Sequence, residues 1–182
     1  MISDYINISN ALTLFRILIC PYISFLMINN RYKEAVMWAF IGGMSDMLDG
    51  AVARKLGQTS AFGATFDPVA DKIFAIVLFL TCVYLNLVPI WFFFLIIARE
   101  IIIIGGVLFI THKIGHIDLK PLLSSKINTG FQFLLVGGLI LRHILPIHFL
   151  CQILLLATTI TTIYSGLEYI YTGFLLLKNG KV

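Results

Sequence analysis

The sequence predicts an all-α integral membrane protein: six transmembrane helices in a single domain over residues 1–182, with a short N-terminal interfacial helix ahead of them. Three observations predict it. The 182 residues are 59% hydrophobic and only 12% charged, about half the charged share of a soluble domain. The apolar residues fall into runs of about 20, the length a helix needs to cross a hydrocarbon core of about 30 Å. The charges gather in short connections and in one stretch, 46–71.

The same composition excludes other classes. A net charge of +4 suits attraction to anionic lipid headgroups rather than nucleic-acid binding. Cys20, Cys82 and Cys151 each stand alone in an apolar run, which implies neither a disulfide framework nor a metal cluster. They read as small core or lipid-facing residues. The opening M-I-S-D-Y-I-N lacks a basic n-region, so no cleaved signal peptide is expected. No internal repeat or low-complexity linker interrupts the chain.

Taken in order, residues 2–8 are short and mixed and suit an interfacial helix. The first apolar segment runs from Asn10 to about Ile28. It carries Asn10, Thr13 and Arg16 at i, i+3, i+6. Arg16 has two readings: snorkelling to the headgroups, or placing the phosphates of a ligand. After the polar N-N-R-Y-K-E, a second segment runs from about Ala35 to Leu56. Its first half is apolar and its second half bears Asp46, Asp49 and Arg54, so that end must face protein or water. Gly42, Gly43 and Gly50 would admit a close neighbour.

The third segment runs from about Thr65 to Leu85 and begins with Asp67, Asp71 and Lys72. Pro68 is expected near its start, where a helix tolerates proline. The fourth runs from about Ile90 to Ile110 and contains A-R-E at 98–100. A charged pair inside an apolar segment is costly unless it faces a site, which makes Arg99 a candidate for binding an anionic group. Its alternative is an internal ion pair. Glu100 is the weaker partner for that, because i and i+1 do not face each other on a helix.

Residues 111–126 form the longest polar connection. His112 and His116 have metal-ligand spacing, but no acidic partner lies close in sequence and a solvated loop is the expectation. The fifth segment runs from about Ile127 to Ile144 and the sixth from about Pro146 to Leu177. The sixth is long enough to tilt or break, with Ser165–Gly166 as its weak point.

The stretch 46–71 organises the rest. Asp46 and Asp49 are three apart and Asp67 and Asp71 four apart, so each pair shares a helix face. The polar K-L-G-Q-T-S-A-F-G between them would turn the chain and aim both faces at one point. Four converging carboxylates cannot all stay ionised in an apolar setting without compensating charge. All-oxygen ligands favour Mg²⁺ or Mn²⁺, and two such ions suit displacement at phosphorus. The alternatives are acidic faces turned to water or partly protonated, and a cation transporter built on intramembrane acids. A transporter would more often show a repeat or helices broken near mid-membrane.

The pattern D-x-x-D-G-x-x-A-R, eight residues, then G-x-x-x-D-x-x-x-D resembles the signature of the CDP-alcohol phosphatidyltransferases. Asp46, Asp49, Gly50, Ala53, Arg54, Gly63, Asp67 and Asp71 fill every specified position. N-x-L-T-x-x-R at 10–16 is similar to the first helix of bacterial members. The resemblance implies a CDP-diacylglycerol donor, an alcohol acceptor and release of CMP. It implies Asp46, Asp49 and Asp67 as metal ligands, and Asp71 as general base and ligand to a second metal. Gly50, Ala53 and Gly63 would make room for the cytidine and its phosphates. Arg54 would pair with phosphate or hold the turn. Lys126 joins Arg99, Asn10, Thr13 and Arg16 as a further binding candidate. Homodimers are common in that family.

Two acceptors compete. I-A-R-E-I-I-I-I-G-G at 97–106 begins like the branch that uses glycerol-3-phosphate, but Gly105-Gly106-Val107 stands where that branch repeats Arg-Glu. L-K-P-L-L-S-S-K-I-N-T-G-F-Q at 119–132 and the run at 152–166 look more like the CMP-forming cardiolipin synthases, whose acceptor is phosphatidylglycerol. The paired H-x-K motifs of the other cardiolipin synthase chemistry are absent from this sequence.

Six helices put both termini on one side. With that side cytoplasmic, the inner connections hold Arg54, Lys55, Lys113, Lys120, Lys126, Lys178 and Lys181 and the outer ones Arg31, Lys33 and Arg142. The positive-inside rule favours this orientation. It puts the acidic cluster at the cytoplasmic face, and the expected location is a bacterial inner membrane.

Overall fold

The structure, a computed structural model, describes residues 8–43, 61–114 and 122–179, with side chains at 18–43, 72–113 and 122–178. Six helices account for almost all of them: α1 (Ile8–Ile28), α2 (32–43), α3 (Ala61–Tyr84), α4 (Ile90–Ile114), α5 (Leu123–Leu141) and α6 (His148–Asn179). No strand occurs among the described residues. The expected interfacial helix at 2–8 falls almost wholly outside them.

Two turns stop helices by the same chemistry. Asn30 and Asn86 take left-handed φ values of 60° and 55°, which asparagine tolerates better than most side chains. Around Asn30, Arg31 N–H donates to Leu26 O at 2.8 Å and Asn30 N–H to Met27 O at 3.1 Å. Around Asn86, Leu87 N–H donates to Cys82 O at 2.8 Å and Asn86 N–H to Val83 O at 2.9 Å. Both are Schellman ends, which satisfy carbonyls that a helix terminus would leave bare.

Several expected boundaries shift. α3 begins at Ala61, so Pro68 lies inside the helix rather than in its first turn. α4 runs on to Ile114 and α5 starts at Leu123, so His112 ends a helix instead of opening a loop. His116 lies outside the described residues. α6 passes through Ser165 and Gly166 without a break. At 32 residues it is about 48 Å long, and length alone forces no break where a helix can tilt or overhang the bilayer.

The chain forms two compact units, Met1–Leu87 with Val136–Ile147, and Val88–Leu135 with His148–Val182. In the first, α1 packs on α3. Cys20 Sγ lies 3.4 Å from Phe74 O, and Thr81 Oγ1 lies within hydrogen-bond distance of Ser24 Oγ at 2.9 Å. Residue numbers rise together across these contacts, so the two helices run parallel. α2 runs against α1: Tyr22 meets Trp38 edge-on at 5.5 Å, and a Cβ at Gly42 would stand 3.7 Å from Ile19 Cγ2.

In the second unit α4 packs on α6, again parallel. Arg99 Nη2 reaches Ser165 Oγ at 3.1 Å, and Ile110 lies against Gly173, where a Cβ would be only 3.2 Å from its Cδ1. α5 runs antiparallel to α6. Asn128 Oδ1 accepts from Thr161 and Thr162 at 3.0 and 2.8 Å, while Leu122 N–H points to Tyr169 Oη at 3.4 Å.

The polarity is inside out. Arg99, Asn128, Gln132, Thr158, Thr162 and Ser165 are buried, whereas Leu108, Phe149, Leu156 and Phe174 are exposed. A water-soluble protein places these groups the other way round. Hydrocarbon demands this arrangement, because polar groups there must find partners within the protein. α4 over Ile90–Lys113 and α6 over His148–Lys178 are long and apolar enough to cross a membrane, and α1 and α3 carry shorter apolar stretches at Leu18–Ile28 and Lys72–Tyr84. Cys20, Cys82 and Cys151 are free thiols and all buried.

Candidate active site

α3 carries Gly63, Asp67 and Asp71 at successive intervals of four along one helix, so they lie in one row with about 6 Å of rise between neighbours. α1 carries Asn10, Thr13 and Arg16 in its first turns. The contacts of Cys20 with Phe74 and of Ser24 with Thr81 set offsets of 54 and 57 residues between the parallel helices. Continued toward the N-termini, that register brings Thr13 and Arg16 level with the Asp67–Asp71 turn. The donor-binding candidates of α1 and the carboxylates of α3 therefore share one end of the first unit.

α2, antiparallel to both, heads for the same end when its description stops at Gly43. Asp46, Asp49, Gly50, Ala53 and Arg54 lie outside the described residues. Among the described residues no group of three or more His, Cys, Asp or Glu is gathered for a metal. The row on α3 offers two carboxylates one turn apart and no softer ligand, a donor set that fits a hard dication such as Mg²⁺ or Mn²⁺.

Arg99 sits in the second unit with only 5% of its surface exposed. Its guanidinium pairs with Glu100 and donates to Ser125 Oγ at 2.6 Å and Ser165 Oγ at 3.1 Å. A Cβ at Gly166 would stand 3.8 Å from Arg99 Cγ, so the glycine lets the arginine stem lie along α6. The ion pair with Glu100 corrects the expectation from helix spacing. Consecutive residues project apart at Cβ, but an arginine and a glutamate are long enough to converge when both are largely withdrawn from the surface. Lys126 is exposed in the first turn of α5, one residue after Ser125.

Sequence reasoning missed the partners of Arg99. Ser125 lies in the S-S-K run and Ser165 completes a row of hydroxyls at 158, 162 and 165. That i, i+4, i+7 spacing within an apolar helix was a signal for a buried polar seam. Asn128 lies on the same seam.

The model of the CDP-alcohol phosphatidyltransferase family matches residues 6–164, a span that contains the whole signature, Arg99, Ser125 and Asn128. The chain belongs to the CDP-alcohol phosphatidyltransferase family. Among curated members of this family, it is 29% identical to the CMP-forming cardiolipin synthase of Rattus norvegicus, covering 94% of this chain and 64% of that one. It is 30% identical to the CDP-diacylglycerol–glycerol-3-phosphate 3-phosphatidyltransferase of Aquifex aeolicus (strain VF5), covering 92% of this chain and 96% of that one. The enzyme of the same name from Wigglesworthia glossinidia brevipalpis is 33% identical, with 93% and 96% covered. The chain spans less than two thirds of the length of the cardiolipin synthases it matches from rat and human.

Proposed function

We propose that the protein transfers the phosphatidyl group of CDP-diacylglycerol to a hydroxyl of phosphatidylglycerol, forming cardiolipin and releasing CMP. The complete signature carries the donor half of this reading, supported by the register that brings α1 and α3 together at Asp67 and Asp71. The acceptor oxygen attacks the phosphorus that bears diacylglycerol. Its proton passes to the Asp71 carboxylate, and the bond from that phosphorus to the CMP oxygen breaks. Asp46, Asp49, Asp67 and Asp71 would hold two Mg²⁺ or Mn²⁺ ions, which would offset the negative charge of the diphosphate. Gly50, Ala53 and Gly63 leave room for the cytidine, while Arg54, Asn10, Thr13 and Arg16 meet phosphate.

For the acceptor, the charge of the second unit supports phosphatidylglycerol. Arg99 is the sole buried cation there among the described residues, and Glu100 already offsets it. A monoanionic phosphodiester suits that balance better than the dianionic monoester of glycerol-3-phosphate. The glycerol-3-phosphate reading keeps one specific support: the A-R-E run and relatives of that name matched over 96% of their length.

The same reading places six helices across a bacterial inner membrane with the aspartates facing the cytoplasm, and it is compatible with a homodimer. Release of CMP from CDP-diacylglycerol by the purified protein, with phosphatidylglycerol or glycerol-3-phosphate as sole acceptor, tests it. Turnover with the first alone supports cardiolipin synthesis. Turnover with the second alone replaces the acceptor, and no turnover with either removes both.

A further inference from the structure

The end of the first unit away from the aspartates holds a cation, Arg142, whose side chain has no hydrogen-bond partner among the described residues. α5 stops at Leu141, and its last carbonyls are all taken. Arg142 N–H donates to Gly138 O, His143 N–H to Ile140 O, and the amides of Ile144 and Leu145 to Leu141 O. Leu139 O is met by His143 Nδ1 at 3.2 Å. An arginine just past a helix usually serves those carbonyls and the negative end of the dipole, and here the backbone and His143 have already done so. The Arg142 side chain is half-buried, its Nε is sealed from solvent, and its guanidinium makes no hydrogen bond or ion pair among the described residues. A buried donor left so is costly, more so when charged.

Its surroundings are built rather than loose. The His143 ring stacks on Tyr32 at 3.7 Å and 6°, which ties the α5–α6 turn to the start of α2. Arg31 beside it is engaged by Glu34, which leaves no carboxylate of that turn for Arg142. Lys33 adds an exposed positive charge nearby in sequence. Cys82 lies close enough to Arg142 to feel its charge. Asp71 and Cys82 are 11 residues apart on α3, about 16 Å along the axis.

We infer that Arg142 binds the phosphate oxygens of an anionic phospholipid headgroup, with the stacked Tyr32–His143 pair fixing the turn that presents it. This rests on the membrane-spanning part of the proposed function. A phosphodiester accepts charge-assisted hydrogen bonds in the geometry a guanidinium offers, and headgroup phosphate is the anion in supply at a membrane interface. Inorganic phosphate shares that chemistry but lacks the acyl chains that would hold it beside the apolar ends of α3 and α5.

The test is lipid retention. Purified protein in vesicles of equal phosphatidylglycerol and phosphatidylcholine is extracted, and the lipids it carries are weighed by native mass spectrometry. The wild type keeps phosphatidylglycerol over phosphatidylcholine. R142Q reduces that preference about tenfold and R142K restores part of it. Equal preference in wild type and R142Q overturns the assignment. Displacement of the retained lipid by millimolar inorganic phosphate overturns the headgroup as the source. A second reading needs no variant: amide exchange over 142–147 slows in phosphatidylglycerol vesicles against phosphatidylcholine alone, and equal exchange overturns the site. CMP release run in parallel separates the two failures. Unchanged retention with CMP release intact rejects only the headgroup site, and absent CMP release in the wild type rejects the proposed function.

Discussion

Ser24 Oγ and Thr81 Oγ1 lie 2.9 Å apart, hydrogen-bonded between two parallel helices, α1 and α3. Thr81 gives its one hydroxyl proton to Val77 O at 2.8 Å in its own helix and accepts from Ser24, so its hydroxyl is satisfied twice in a setting without water. Such interhelical bonds in membranes contribute only about 0.6 kcal/mol on average. Their larger effect is on register, because a slip of one residue would part the Ser24 hydroxyl from Thr81 in apolar surroundings. With Cys20, Cys82 and Cys151 changed to Ala, the pair Ser24→Cys and Thr81→Cys should cross-link on mild oxidation. The pair Ser24→Cys and Val77→Cys, one turn out of register, should cross-link far less. Equal yields would refute the parallel register that carries Thr13 and Arg16 to Asp67 and Asp71.

Asp71→Asn should lower CMP release by about 10²–10⁴, the usual contribution of a positioned general base. The amide keeps the shape and can still offer an oxygen to a cation, so Mn²⁺ binding followed by electron paramagnetic resonance should weaken only modestly. Asp67→Asn should do the reverse and chiefly raise the Mn²⁺ concentration needed. Two identical profiles would show that the roles of base and ligand are not divided between these residues.

Arg99→Ala removes the cationic partner of a carboxylate only 15% exposed. Breaking such a pair costs about 3–5 kcal/mol, so the variant should unfold well below the wild type in a detergent melt. Arg99→Ala with Glu100→Ala removes both charges and should recover much of that loss. Acceptor binding separates the structural from the functional role. A double variant that melts near the wild type but needs at least tenfold more phosphatidylglycerol for half-maximal rate makes Arg99 an acceptor-binding residue. A double variant with unchanged KM makes the ion pair purely structural.

The helices and the acidic signature were legible because each rests on a local pattern. Apolar runs of membrane length mark α4 and α6, and Asp67 and Asp71 show their shared row by spacing alone. The Schellman ends at Asn30 and Asn86 were legible in principle, since asparagine is one of the few residues at home in a left-handed turn. The Arg99 network was not. Its partners Ser125 and Ser165 stand 26 and 66 residues away, and only the packing of α4, α5 and α6 brings them together. The spacing rule even argued against Glu100, because it weighs where Cβ atoms point and not what long side chains do when water is absent. Pro68 misled in the other direction: proline suggests a first turn, and α3 begins seven residues earlier.

Metal dependence gives the sharpest test of the acidic stretch. Chelation with EDTA should abolish CMP release, and Mg²⁺ or Mn²⁺ should restore it. Ca²⁺ should not restore it fully. Its oxygen contacts of about 2.3–2.6 Å exceed the 2.0–2.1 Å of Mg²⁺, and Asp67 and Asp71, carried on one helix, cannot freely draw back to suit a larger ion. Zn²⁺ should also serve poorly, because Asp46, Asp49, Asp67 and Asp71 supply neither the nitrogen nor the sulfur it favours. Full activity after exhaustive chelation would leave the carboxylates without compensating charge and would reject their reading as a metal centre. Restoration by Ca²⁺ as strong as by Mg²⁺ would instead show that the carboxylates yield to the ion, and that the helices do not fix the size of the site.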